Sequence, residues 1–374
     1  MSAGSPVRGI ARPRTVLIAP DSFKGSLTSV EVARALGEGW RRARPDDTIL
    51  LSPLADGGEG TLAAIEAAGG WTWRRSAVHD PLGRPIEARW LWRDVGGTGS
   101  AFIEMATASG LSLVRAEERD PMAATSIGTG ELIAAAIDQD VARITLGIGG
   151  SATTDGGRGL LEGLLTHGAA DRRLDQVDLE VACDVSNPLL GPSGAAAIFG
   201  PQKGATSAQV RELDARNARW ADELDAREGR RERETAGAGA AGGVGFALLS
   251  IQDRFRSFAL RPGIELVMDL TDFDAKLAQA DLVITGEGRI DGQTAYGKTA
   301  LGVAQRARAA GKPCIAVGGG VEPEGIEALA SLDVAVVPVV ERPQTVEEAM
   351  AAGTLPVERC GERIGRLVAL LTKS

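Results

Sequence analysis

Aromatic residues make up only 4% of this 374-residue chain, and tyrosine occurs once. Hydrophobic residues still reach 44%, so a full core must be built mainly from Ala, Val, Leu and Ile. Histidine is nearly absent. His79 and His167 are the only two, and neither has a neighbour in sequence that suggests a triad. A mechanism resting on carboxylates or lysines is therefore favoured over one resting on imidazole. Cys183, Cys314 and Cys360 are odd in number, far apart and without zinc spacing. They imply no disulfide framework and fit a reducing cytoplasm. No apolar run is long enough to span a membrane. The N-terminus MSAGSPVRGIARPR has basic residues but no apolar centre, so 1–13 is expected to be a disordered tail rather than a signal peptide. A net charge of -9 counts against a general nucleic-acid role, despite the basic clusters at Arg12 to Arg14 and Arg227 to Arg233.

Glycine is the opposite case, with 49 residues, which fits many strand-to-helix loops. The most informative stretch is Leu146 to Gly159, LGIGGSATTDGGRG. ARITLGI leads in and GLLEGLLTHG leads out, a pattern that predicts strand, glycine loop, helix. Glycine lets backbone N–H groups turn toward a ligand with no Cβ in the way. The following helix points its positive end at the loop. Ser151, Thr153 and Thr154 offer hydroxyls, and Asp155 offers a carboxylate fit for magnesium. The loop suits an anion, phosphate above all. The plain alternative is a tight turn with Asp155 as helix cap.

Thr15 to Ala19 (TVLIA) and Thr48 to Ser52 (TILLS) predict buried strands. The first runs into Asp21-Ser22-Phe23-Lys24-Gly25-Ser26 and a helix capped by Thr28 or Ser29. The second runs into Asp56-Gly57-Gly58-Glu59 and the helix LAAIEAAGG. Open parallel sheets hold ligands at strand carboxyl ends, so Asp21 and Asp56 are expected in a shared site. Lys24 would meet a phosphate as a point charge. Helix capping is the simpler account of Asp56 and Glu59. From Trp71, alternating polar and apolar residues predict an antiparallel meander and a domain boundary. Glu104 could reach a site from there, with a strand-edge carboxylate as the plainer account. Ser126 to Gly130 predicts a turn before the helix ELIAAAIDQD. Asp184 ends a strand in LEVACDVS, and Lys203, in the loop Pro201 to Gly204, is a second lysine candidate. Ser207 to Glu234 predicts a charged helix with Val210, Leu213, Trp220 and Leu224 on its packed face. Gly237 to Gly245 fits either a packing loop or an approach to a nucleotide.

Asp281 to Thr285 (DLVIT) predicts another buried strand, before Glu287, Arg289 and Asp291. Gly292 to Thr299, GQTAYGKT, matches the phosphate-loop pattern literally. The expected strand ends several residues too early for a P-loop NTPase, but Lys298 stays a phosphate candidate. PCIAVGGGV and DVAVVPVV are further strands, and the chain closes on helices. Strands of one style near both chain ends predict a discontinuous parallel α/β domain, 14–70 plus 281–374. A second α/β domain, 71–280, is inserted in it.

APDSFKGSLTS (Ala19 to Ser29), PLADGGEGT (Pro53 to Thr61), SIGTGELI, GIGGSATTDGG, VACDVSNPLLG, FGPQKGA, GAGAAGG and TGEGRIDGQTAYGKT follow one another over nearly the whole chain. Together they resemble the type I glycerate kinase family. The resemblance implies a flavodoxin-like (Rossmann-like) parallel-sheet domain with a second mixed α/β domain inserted. It implies transfer of the ATP γ-phosphoryl group to D-glycerate, giving 2-phosphoglycerate rather than 3-phosphoglycerate. This chain departs from the pattern by being shorter between Gly168 and Val177, which trims a loop.

Phosphoryl transfer asks mainly for alignment and charge neutralisation. With the resemblance in hand, Mg2+ is expected on some of Asp21, Asp56, Asp155, Asp184 and Asp291, with Asp56, Asp155 and Asp184 as its main ligands. Lys24 and Lys298 would stabilise the transferring group. Amides of Gly149 and Gly150 would cradle phosphate oxygens, alongside Ser22, Ser151, Thr153, Thr154 and Glu287. Asp155 or Asp291 would accept the glycerate hydroxyl proton. Arg289 would take the glycerate carboxylate in two-pronged fashion, its alternative being an ion pair with Glu287 or Asp291. The protein is expected to act without nucleic acid or membrane, as a monomer or homodimer. Two rivals stand beside this. A nicotinamide-dependent hydroxy-acid oxidoreductase would show G-x-G-x-x-G with an acidic partner about 20 residues on, and no such motif stands out. A non-catalytic nucleotide-binding regulator would not need several carboxylates and lysines at strand ends.

Overall fold

A computed structural model of the chain describes residues 12–58, 60–165, 171–292, 294 and 299–371. The expected tail up to residue 11, Glu59, His167 and Lys298 lie outside the described residues. The strands are β1 Thr15–Pro20, β2 Thr48–Leu51, β3 Thr72–His79, β4 Pro85–Val95, β5 Thr98–Glu104, β6 Val141–Gly147, β7 Asp178–Ala182, β8 Ser257–Arg261, β9 Leu282–Ile290, β10 Cys314–Val321 and β11 Ala335–Pro338. They fall into two compact units. One takes the residues up to Ala55, Ala63–Ala68, and Met268 onward. The other takes Asp56–Leu62 and Gly69–Val267.

The first unit holds five parallel strands in the order β11-β10-β9-β1-β2. The direction of travel through the sheet reverses between β1 and β9. In flavodoxin-like sheets that reversal places ligands at the carboxyl ends of the two strands. β1 has a neighbour on each side, and Val16, Leu17, Ile18 and Ala19 are fully buried, as a continuous apolar run predicts. β9 is longer than its apolar stretch implied. It continues through Gly286 to Ile290 because β10 keeps pairing with it, Gly318 opposite Glu287 and Val321 opposite Ile290. It therefore ends just before Gly292, not at Thr285.

Thr28 begins the helix Ser29–Ala43 with a capping box: its hydroxyl accepts from the Glu31 amide, and Glu31 accepts from the Thr28 amide. This helix packs on Leu355–Leu371 with the backbones nearly touching. A Cβ on Gly39 would stand 1.8 Å from the Glu358 carbonyl oxygen, and one on Gly361 would stand 2.4 Å from that of Leu36.

The second unit is a six-stranded mixed sheet, β3-β4-β5-β6-β7-β8. β3, β4 and β5 form the expected antiparallel meander. From β5 onward every pair is parallel, because β5 and β6 are joined by a crossover containing the helix Ile127–Asp138. Register aligns Glu104, Gly147, Ala182 and Arg261 across the carboxyl ends of β5 to β8. The expected turn at Ser126 to Gly130 is instead the first turn of that helix. Its glycines serve closeness rather than chain reversal. A Cβ on Gly128 would lie 1.9 Å from the His79 carbonyl oxygen, and one on Gly130 would lie 2.0 Å from that of Leu160. His79 does have a partner: its Nδ1 is 2.8 Å from Oε1 of Glu131. The charged helix runs Ser207–Glu228 and stops at Gly229, whose φ of 73° favours glycine. Leu213, Trp220 and Leu224 are buried on its inner face. Among the described residues no helix is long and apolar enough to cross a membrane.

Gly39→Ala is expected to destabilise the protein by at least about 1–3 kcal/mol, the usual cost of overpacking. The check is a lower urea midpoint at unchanged slope; an unchanged midpoint would mean the two helices do not meet this closely.

Candidate functional site

In the second unit the chain leaves β6 at Gly147 and enters the helix Arg158–Leu165 through the predicted glycine loop. Gly150, Gly156 and Gly157 have φ of 72°, 67° and 70°, which glycine adopts without strain. Asp155 is the clasp of this loop. Its Oδ2 accepts from the Ser126 amide at 2.8 Å, the Ser126 hydroxyl at 2.8 Å and the Gly159 amide at 3.2 Å. Its Oδ1 accepts from the Gly157 amide at 3.1 Å. The Ser126 hydroxyl in turn accepts from the Leu160 amide at 2.9 Å. Asp155 thus caps the following helix and ties the loop to a distant segment. The expected three-carboxylate metal set of Asp56, Asp155 and Asp184 does not form: among the described residues no group of three or more His, Cys, Asp or Glu could hold a metal. The oxygens of Asp155 are committed to N–H and O–H donors instead.

The rest of the loop is stitched on several sides. The Leu111 amide donates to the Gly150 carbonyl at 2.8 Å, and the Ala152 amide donates to that of Ser109 at 2.9 Å. The Trp220 indole donates to the Gly156 carbonyl at 3.1 Å. A Cβ on Gly242 would stand 1.9 Å from the Thr153 carbonyl oxygen, so Gly237 to Gly245 is a packing loop. Lys203 arrives on the single turn Pro201–Lys203, ended by Gly204 with φ of 97°. The lysine is 2% exposed, and its Nζ donates to Ser151 Oγ at 2.8 Å and to the Thr153 carbonyl at 2.5 Å. Burial pushes the amine down to about 7, with the Asp155 charge opposing. Thr153 and Thr154 are also buried, and their hydroxyls make no hydrogen bond among the described residues. Buried hydroxyls seldom stay so in proteins. Gly150 is exposed and Gly149 half-buried, leaving the tip of the loop open.

Asp184 follows β7, and its Oδ1 accepts from the Gly263 amide, beyond β8, at 2.9 Å. A Cβ on Gly263 would lie 2.0 Å from the Asp56 carbonyl oxygen and 2.9 Å from Asp184 Oδ2. Glycine there lets the Asp56 loop and Asp184 come together. The same loop presses on the end of β6, where a Cβ on Gly149 would lie 2.9 Å from the Gly58 Cα. Desolvation pushes Asp184 up to about 6, the Gly263 amide opposes this, and the Asp56 charge adds to it. Two hard carboxylates suit Mg2+, which takes one or two of them and fills its shell with water and phosphate oxygens.

In the first unit Asp21 is buried just past β1. Its Oδ1 accepts from the Ser22 amide at 2.6 Å and its Oδ2 from the Thr299 hydroxyl at 2.7 Å. Lys24 is exposed. At the end of β9, buried Glu287 accepts from the Thr294 hydroxyl, which itself accepts from the Asp291 amide at 3.1 Å. Arg289 is mostly exposed and ion-paired to Glu322, with Asp291 at 3.4 Å. Its main partner is thus neither of the two expected from sequence. Ser126, Thr299, Gly263 and Glu322 were not singled out from the sequence as site residues. Thr299 carried a signal as the last residue of the GQTAYGKT octet, and Ser126 as the first residue of SIGTGELI.

Two substitutions separate these roles. Asp155→Asn turns an amide toward N–H donors and orphans them, at about 1–3 kcal/mol for each. Urea midpoint and activity should fall together, whereas a residue acting only as a base would leave the midpoint unchanged. Asp184 keeps its proton to higher pH when folded than when unfolded. Its stabilising contribution is complete below about pH 4 and is lost as pH rises through about 6. Asp184→Asn should therefore melt above the wild type at pH 7.5 and close to it at pH 4; equal melting differences at the two pH values would refute the shift.

Residues 16–170 and 164–369 match the model of a family described as the glycerate kinase family. A protein of Halalkalibacterium halodurans named glycerate kinase is 42% identical over 375 residues, covering 94% of this chain and 97% of its own. Escherichia coli K12 has a relative named glycerate 2-kinase, 41% identical over 349 residues, covering 85% of this chain and 90% of its own. A crystal structure named for glycerate kinase 2 of Salmonella typhimurium LT2 aligns with a TM-score of 0.83 at 40% identity, covering 97% of this chain and 100% of that one. With matches of this extent along nearly its whole length, the chain belongs to the glycerate kinase family.

Proposed function

We propose that this protein transfers the γ-phosphoryl group of ATP to the 2-hydroxyl of D-glycerate, giving 2-phosphoglycerate. Relatives named glycerate kinase and glycerate 2-kinase support the substrate and the position. The observation that carries the proposal lies at the strand ends of the second unit. A glycine loop with two unpartnered buried hydroxyls stands on one strand end, and the Asp56–Asp184 pair gathers beside the next. A phosphate-rich ligand with a divalent cation answers both needs.

Phosphoryl transfer leaves the protein mainly alignment and charge stabilisation to supply. Amides of Gly149 and Gly150, with the hydroxyls of Ser151, Thr153 and Thr154, donate to phosphate oxygens. The N-terminus of Arg158–Leu165 adds its positive potential. Asp56 and Asp184 would hold Mg2+, which supplies neutralising charge when bound. Asp155 serves as the clasp, so the proton from glycerate falls to Asp291. In the first unit Asp21, Ser22, Lys24 and Glu287 shape the polar ends of β1 and β9, and Lys298 adds positive charge. Arg289 takes the glycerate carboxylate by giving up Glu322. That exchange costs little, because an ion pair at this exposure is worth about 0–1 kcal/mol.

The test is ADP release from ATP and Mg2+ with and without D-glycerate, followed by NMR of the product. Release that depends on glycerate, with phosphorus coupled to the C2 proton, is expected. Bound nucleotide without release would favour the regulator. Arg289→Ala should raise the KM for glycerate roughly 10–100-fold, the value of a charge-assisted hydrogen bond, and leave the KM for ATP unchanged. Equal changes in both constants would remove Arg289 from the glycerate site.

A further inference from the structure

Lys203 is the one lysine buried among the described residues. Its Nζ donates to two acceptors, Ser151 Oγ and the Thr153 carbonyl, and both belong to the glycine loop. The charged group whose field reaches it is Asp155, which clasps that loop from Ser126. A lysine that merely filled space would gain nothing from ending on two loop oxygens. An apolar side chain would fill the same volume without the desolvation that burial of an amine costs.

The two contacts dictate which way the loop faces. A trans peptide is planar, so the N–H of one residue points opposite to the carbonyl of the residue before it. With the Thr153 carbonyl held on Lys203, the Thr154 N–H is aimed away from Lys203. The same holds for Ser151. Its oxygen accepts a hydrogen bond from the amine, so its own O–H is turned elsewhere as a donor.

We propose that Lys203 is a positioning residue that orients the Ser151 hydroxyl and the 153–154 peptide so that Ser151 O–H and Thr154 N–H face the bound phosphate. The inference rests on the assignment of this loop to nucleotide phosphate. Burial brings the amine down to about 7, so near neutral pH both its charged and its neutral forms are present. Each form has at least two N–H donors, and either can hold both loop oxygens.

ADP with Mg2+ is the probe, titrated by calorimetry without glycerate into the full chain, with melting temperature measured alongside. Lys203→Met keeps the volume and loses the donors. Lys203→Gln keeps two N–H donors without charge. Positioning predicts ADP affinity about tenfold weaker or worse in the Met variant and within about threefold of wild type in the Gln variant, as expected for loss and retention of the donor hydrogen bonds. Space filling predicts the reverse order, with affinity following the melting temperature. That order, or Met-variant affinity equal to wild type, overturns the proposal. A measurement on the wild type needs no variant to fold: the Thr154 amide resonance should move on saturation with ADP, and an unmoved resonance also overturns the proposal. Absence of glycerate-dependent turnover in a wild type that binds ADP would defeat the kinase assignment alone. Unchanged affinity in both variants of an active kinase would defeat Lys203 alone.

Discussion

Backbone pressed directly on backbone is the constraint on which the second unit depends. At Gly130, Gly163, Gly242 and Gly263 a carbonyl oxygen stands about where a Cβ would be, between 1.9 and 2.4 Å from it. No other residue fits such places without moving one chain segment off another. The loop from Gly149 to Gly157 is held between segments that meet it in this way, so its shape is fixed by what is missing from the side chains. The scarcity of aromatic residues is consistent with this, since interior density is reached by bringing main chains together rather than by filling gaps with large rings.

Charge is treated differently at each position. Asp155 is surrounded by four donors and is thereby a structural anion. Burial disfavours the charged forms of Asp184 and Lys203 and moves the two groups to about 6 and about 7. Arg289 and Glu322 lie at the other extreme, out in water, where their pairing is cheap to break.

What could be read from the sequence was whatever its local pattern encodes. TVLIA as a buried strand, the meander after Trp71 and the strand–loop–helix around LGIGGSATTDGG all follow from periodicity and glycine placement. The resemblance to glycerate kinases, carried by long ordered motifs, supplied the family. What stayed hidden depends on partners distant in sequence. The Ser126 donors on Asp155 lie 29 residues away, and the Lys203 acceptors lie 52 and 50 residues away. The far half of β9 exists because β10 pairs with it, which no local pattern announces. SIGTG read as a turn because glycine serves both reversal and close packing, and only the neighbouring backbone tells the two uses apart.

The pairing of β1 with β9 also sets a schedule. Val16 lies beside Leu282, and the Thr15 amide donates to a carboxylate 266 residues further along. At about 5–20 residues per second of chain growth, that partner emerges on the order of ten seconds to a minute after β1. All six strands of the second unit leave the ribosome in the interval. β1 therefore waits, one edge unpaired, while the chain of the second unit is made behind it. The burden of that wait falls on the nascent chain and on whatever shields it from aggregation during translation, not on the finished enzyme.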